Sequence, residues 1–157
     1  MARGLAAARL PERWQGQIGF ASAGTAAYDG MRAAENAVLV LKEIGIDISG
    51  HRARLLTRDM AENSALLVAM ARRHREDILR IAPGSEDKVI VLGELDPGRE
   101  SPDIEDPIGG DEAVYRRTRE EIAGLVALLF DHLDFRHSGI FSPKRKKGDC
   151  GPGGGGL

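Results

Sequence analysis

Apolar residues in this chain switch between helical and strand-like spacing several times. Ala6 and Leu10, with small residues between them, predict a first helix ending near Pro11, and Gln17–Ala21 reads as a strand. Ala34, Ala37, Val38, Leu41 and Ile44 recur at helical spacing over Arg32–Ile44, and Gly45 closes that helix. Thr57 is placed to cap a short helix reaching Asn63. Ala65–Met70 and Lys88–Leu92 are continuous apolar runs, as expected of strands covered on both faces. Arg72–Ile81 between them is a charged amphipathic helix. The strongest pattern comes last, over Asp111–Leu133. Val114, Thr118, Ile122, Val126, Leu129 and Leu133 form one stripe, and Glu112/Arg116 and Arg117/Glu121 sit at i, i+4 outside it. Strands alternating with helices predict an α/β fold, a parallel sheet with helices on both faces.

At 157 residues the chain has the length of one domain, large enough to bury a core without disulfides or metals. The net charge of −2 makes no general case for nucleic acid or an anionic membrane. No apolar run approaches the ~18 residues of a membrane span, and Arg9 interrupts any signal-peptide core. A cytoplasmic location is therefore expected. One cysteine, Cys150, excludes an internal disulfide and a multi-cysteine zinc site. Residues 136–157 carry Lys144-Arg145-Lys146-Lys147 and a glycine-rich run ending the sequence. They are expected to form a disordered tail after a domain over 1–135, with Cys150 an unactivated thiol.

Ligands of open α/β sheets bind beyond the carboxyl ends of the strands. Three loops leave such ends here: SAGTAAYDG, ARRH, and the long GELDPGRESPDIEDPIGG. The last concentrates Asp103, Glu105 and Asp106 before the final helix, and Pro107 holds Asp106 extended. Asp-Pro is also a common turn, and acids favour helix N-termini for structural reasons alone. Ser22 at a strand end and His51 beside Arg52 and Arg54 are weaker candidates. His74, His132 and His137 read as solvated or end-of-helix residues. HExxH, P-loop, GxGxxG and GxSxG motifs are all missing.

Taken in order, SAGT at Ser22–Thr25, GIDISGHRAR at Gly45–Arg54, LLVAM at Leu66–Met70 and IEDPIGGDEAVY at Ile104–Tyr115 resemble the low-molecular-weight protein tyrosine phosphatases. The resemblance runs from Met1 to about Leu133, and DPIGG before the Tyr115 helix resembles the bacterial branch, which includes protein-arginine phosphatases. It implies a four-stranded sheet and hydrolysis through a phosphocysteine. A thiolate in a Cys-x5-Arg loop attacks phosphorus, and an aspartate in the Asp-Pro loop protonates the leaving atom and then assists water. Such a positioned acid contributes ~10²–10⁴ in rate. By this match Asp106 is the general acid/base, Ser22 and His51 support the phosphate loop, and Tyr28 stands at the pocket wall. The resemblance implies no cofactor or metal. The implied partner is a phosphorylated protein or small phosphomonoester, with neither nucleic acid nor membrane. The related arsenate reductases need a cysteine relay that residues 1–149 do not hold.

The Cys-x5-Arg loop and the strand preceding it have no counterpart in this sequence, so the nucleophile is missing. Cys150 has no arginine six residues after it. Two explanations compete: a start at an internal methionine with the strand and loop upstream, or a catalytically dead pseudophosphatase acting as a binding module. In the family the missing strand lies between the strands matching Gln17–Ala21 and Ala65–Met70. Its loss leaves backbone groups unpaired at ~1–3 kcal/mol each where buried. The chain expressed alone is therefore expected to aggregate or stay partly folded. Ile108-Gly109 replaces the Tyr pair of the eukaryotic pattern, and Ala71 replaces an Asp or Thr that supports the loop arginine.

Overall fold

The computed structural model describes residues 1–135, apart from the side chain of Phe135. The expected tail, the basic cluster, His137 and Cys150 lie outside the described residues. The elements are α1 (Ala2–Ala8), α2 (Glu35–Lys42), α3 (Arg58–Asn63), β1 (Leu67–Ala69), α4 (Arg72–Ile81), β2 (Val89–Val91) and α5 (Glu112–Phe135). Short 3-10 turns at Glu12–Trp14, Pro83–Lys88 and Leu92–Leu95 complete the order.

β1 and β2 run parallel, pairing Leu67 with Val89, Val68 with Ile90 and Ala69 with Val91. Alternate side chains leave opposite faces, as the pleat requires. Ala69, Val89 and Val91 pack with Ile78 of α4 on one face. Val68, Met70 and Ile90 pack on the other, against a larger core from α1, α2 and α5 that includes Leu5, Leu41, Ile122, Val126 and Phe130. Helices on both faces of a parallel sheet make this the expected α/β fold.

Local chemistry explains most boundaries. The Thr57 side chain accepts the Met60 N–H at 3.2 Å and opens α3. α2 closes with paired bonds, Ile46 N–H to the Leu41 carbonyl and Gly45 N–H to the Lys42 carbonyl, both 3.0 Å, in a Schellman arrangement. The predicted stripe of α5 is the buried one: Thr118, Ile122, Val126, Leu129 and Leu133 are all buried. Arg116 bridges Glu112 at 2.7 Å and Glu43 at 2.6 Å, and Arg119 bonds the Val40 carbonyl at 2.6 Å, so α2 and α5 are clamped at one end.

Three expectations need correction. Gln17–Ala21 forms no ladder. Gln17 and Ile18 continue the turn by donating to the Trp14 carbonyl, and the first sheet-like pairing comes at Gly24, with Leu55. Ile18 and Phe20 still face the core, with Phe20 edge-on to Phe130 at 6.5 Å. The segment keeps its apolar seat but, among the described residues, has no neighbouring strand to bond. The helix expected over Arg32–Ile44 is shorter, because Arg32 pairs with Arg52 instead. Arg117 and Glu121 do not pair; Glu121 is taken by Arg99 at 2.6 Å.

Candidate functional site

The long loop after β2 is fixed at several points before it reaches Asp106. Gly93 allows it to pass over the end of β2, since a Cβ there would stand 2.2 Å from the Pro102 carbonyl oxygen. Asp103 Oδ1 accepts the Arg72 N–H at 2.8 Å and caps α4, while Ile104 N–H bonds the Met70 carbonyl at 2.9 Å. The three-carboxylate cluster is thereby divided: Asp103 serves a helix, Glu105 faces a cleft with Arg99 and Arg117, and Asp106 follows.

Asp106 is exposed, and its Oδ1 accepts the Ile108 N–H at 3.1 Å. The Pro107 carbonyl accepts the Gly110 N–H at 2.9 Å, with Gly109 at φ +80°, which favours glycine at the third position of the turn. Asn36 of α2 donates to the Gly110 carbonyl at 3.1 Å, and Asp111 Oδ1 caps α5 by accepting the Val114 N–H at 3.0 Å. The aspartate is thus held by a turn tied to two helices. Tyr115, buried against Ala37 and Val40, has its phenol pushed up first by burial and then by the Asp106 charge.

The other predicted residues lie in the segments that lead into α2 and α3. Met1 and Ile48 pack against the Tyr115 cluster. His51 lies nearby, half-buried, its imidazole held below the usual histidine range by burial, then by the charges of Arg3, the amino terminus, Arg52 and Arg54. The Ser22 carbonyl accepts Arg54 Nε at 2.8 Å. Tyr28 is 79% exposed on the next loop, which Asp29 secures by accepting the Leu55 N–H at 2.5 Å. Thr25, closing the SAGT run, donates its hydroxyl to Asp77 of α4 at 3.0 Å, and this bond and Arg80 lower the Asp77 carboxyl. Asp106 and His51 therefore come near the amino terminus, one through the Tyr115–Met1 packing and the other through the charge of the terminus itself, and Ser22 joins the His51 loop through Arg54.

Two open clefts mark the described surface. One of about 290 Å³ lies between Arg99, Glu105 and Arg117, and one of about 360 Å³ beside Arg32, Val38 and Leu39. Neither is lined by Asp106, Ser22, His51 or Tyr28, so the chemistry rather than the concavity locates the candidate site. Sequence reasoning missed Asn36 and Asp29, which hold the loops of the site, and met Tyr115 only as the last residue of a motif. Their only sequence signal is a small polar or aromatic residue close to a candidate loop.

The family described as "Low molecular weight phosphotyrosine protein phosphatase" matches residues 1–138. The chain belongs to this family. A protein-arginine-phosphatase of Geobacillus stearothermophilus is 33% identical over 129 residues, 82% of this chain and 86% of that one. The low molecular weight protein-tyrosine-phosphatase Wzb of Escherichia coli (strain K12) is 32% identical over 123 residues, 78% of this chain and 77% of Wzb. Among solved structures, the low molecular weight protein tyrosine phosphatase from T. tengcongensis superposes with a TM-score of 0.75 at 37% identity, covering 84% of this chain and 88% of its own. A YwlE arginine phosphatase, solved as a cysteine-to-serine mutant with a phosphorylated active-site serine, gives 0.76 at 31%, covering 85% and 86%. The family's proteins act as protein phosphatases, so the resemblance seen in the ordered motifs is a family membership. No helix among the described residues is long and apolar enough to cross a membrane.

Proposed function

We propose that residues 1–135 form a phosphatase domain for phosphotyrosine or phosphoarginine in cytoplasmic proteins, with Asp106 as its general acid/base. Ser22 and His51 support the phosphate-binding loop, and Tyr28 flanks the substrate. In the first half-reaction a thiolate bonds to phosphorus while the bond to the leaving oxygen or nitrogen breaks, and Asp106 gives that atom a proton. In the second, Asp106 takes a proton from water as the water displaces the thiolate and releases phosphate.

The observation that carries this reading is the anchoring of Asp106, exposed before α5 on a turn bonded to both α2 and α5. A carboxylate offered to solvent from a rigid turn suits proton transfer, which depends on placement before anything else. Turnover by this route needs a thiolate, and the cysteine of these 157 residues, Cys150, has no arginine six residues on. Without such a thiolate, the alternative reading is a binding module for a phosphorylated partner.

The test is phosphatase activity and phosphorylated-peptide binding of the protein from its native source, beside Asp106→Asn in the same form. Turnover falling ~10²–10⁴-fold in the variant is expected. Equal turnover in the variant removes Asp106 from the mechanism. Binding of a phosphorylated peptide without turnover selects the binding module.

A further inference from the structure

Two loops beside the candidate site are bonded into a single ledge. Gly24 N–H donates to the Arg54 carbonyl at 3.0 Å and Leu56 N–H to the Gly24 carbonyl at 2.9 Å. Gly30 N–H reaches the Ala53 carbonyl and Ala53 N–H the Met31 carbonyl, both at 2.8 Å. The ledge presents apolar groups to solvent: Met31 is 58% exposed and Leu55 43%, next to Tyr28. Burying such groups is favourable at ~25 cal/mol per Å² of apolar surface, so their display on a rigid ledge is a cost unless something covers them.

The charges around those groups are one-sided. Residues 22–33 and 51–57 hold Arg32, Arg52 and Arg54 against one acid, Asp29, whose carboxylate is engaged with the Leu55 N–H. Elsewhere seven arginines, Arg13, Arg58, Arg72, Arg80, Arg99, Arg116 and Arg119, meet carboxylates, while Arg3, Arg9, Arg73, Arg75 and Arg117 form no salt bridge among the described residues but stand apart from these apolar groups in the sequence. Among the described residues, no carboxylate forms a salt bridge with Arg32, Arg52 or Arg54; Arg52 and Arg54 bond only backbone carbonyls. Beyond Arg32 the ledge opens into the cleft of about 360 Å³ lined by Val38 and Leu39 of α2, by Ser49 and by Glu35.

We infer that this ledge and cleft dock an acidic, apolar-bearing peptide segment of the phosphorylated protein substrate, outside the site of Asp106. The arginines receive carboxylates, and the cleft receives an apolar side chain on its Val38–Leu39 wall. A nucleic acid fits less well, since its phosphates would run past Glu35 and offer nothing apolar to that wall. Only the statement that the partner is phosphorylated rests on the phosphatase reading.

The experiment uses the full chain and fluorescence anisotropy at low salt, where exposed charges are least screened. The probes are labelled, unphosphorylated peptides of a dozen residues alternating Glu with Leu. A Lys-for-Glu version, a Ser-for-Leu version and a single-stranded oligonucleotide of equal length serve as comparisons. The Glu/Leu peptide is expected to bind at least about tenfold tighter than the other three. Arg32→Glu and Met31→Ser should each weaken it by about three- to tenfold. Arg117→Glu, on the far cleft, should not, and thermal melts establish that the variants fold. Equal binding of the oligonucleotide, loss in Arg117→Glu equal to that in Arg32→Glu, or no peptide binding overturns the inference. Because the probe carries no phosphate, failure of Asp106 in catalysis leaves this outcome untouched, and the reverse holds.

Discussion

His51 couples the candidate site to pH through its surroundings. Burial, and after it the positive charges of Arg3, the amino terminus, Arg52 and Arg54, disfavour its protonated form in the folded protein. The unfolded chain, with an ordinary histidine near pH ~6.5, binds the proton more readily. Stability from this residue is therefore complete above about pH 6.5 and is lost as pH falls toward the lower folded value. His51→Gln should flatten the acid side of a Tm-against-pH curve between about pH 7.5 and 5.5. Parallel curves for the two proteins would show that the histidine does not feel those charges. At this scale the sequence was informative where a residue sits in a motif, as with Asp106 before Pro107. It was silent where a residue acts across the fold, as Asn36 does on Gly110, 74 positions away. Tyr115 was legible as a motif residue, but its closeness to Asp106 depends on how α5 enters the fold.

Elements were read best where periodicity is long and the caps are chemical. α4 occupies Arg72–Ile81 as predicted, and Thr57 caps α3 as its position suggested. The 3-10 turns at Glu12–Trp14, Pro83–Lys88 and Leu92–Leu95 were not read, because three to six residues carry no period to detect. The loop between β2 and α5 read as structureless, yet it is anchored by single contacts that no pattern announces. The closest is Gly93 under Pro102. In Gly93→Ala the new methyl group meets a carbonyl oxygen at 2.2 Å with backbone on both sides, so the loop must move. Overpacking of this kind costs about 1–3 kcal/mol, and the shift would also loosen the Asp103 cap on α4 and the Ile104–Met70 bond. Urea unfolding should place Gly93→Ala below the parent by that amount. Gly84→Ala, where a methyl group meets nothing within 4 Å, should change it little. Coincident midpoints for all three would mean that the close approach carries no strain.

For the whole molecule, the sheet is the weak feature. Its two strands are three residues long, and among the described residues β1 pairs only with β2. Leu67 and Val68 remain half-buried, and the segment Ile18–Phe20, which rests its side chains on the same core, contributes no ladder beside them. A parallel pair this short is marginal in water, and an unpaired apolar edge is a template for pairing with another chain. The helices compensate on one side: the Glu43–Arg116–Arg119 clamp and the buried stripe of α5 hold α2 and α5 together without help from the sheet. Exposed ion pairs of this kind add only ~0–1 kcal/mol each, so the apolar stripe is the main bond. The long stripe was legible as a pattern, whereas a further ladder partner was expected only from the family resemblance. The sequence misplaced Gln17–Ala21, because a strand exists only where a neighbour accepts its hydrogen bonds. The 157-residue chain should therefore associate in a concentration-dependent way that tracks the β1 edge. Charge placed on that edge by Val68→Lys would also cost core packing, so the cleaner probe is hydrogen exchange. Amides of Leu67–Ala69 should exchange far faster than those of Ile122–Leu129, and sedimentation should shift to larger species as concentration rises. A monomer at every concentration, with a sharp reversible melt and equal protection in strand and helix, would show that the two short strands are sufficient.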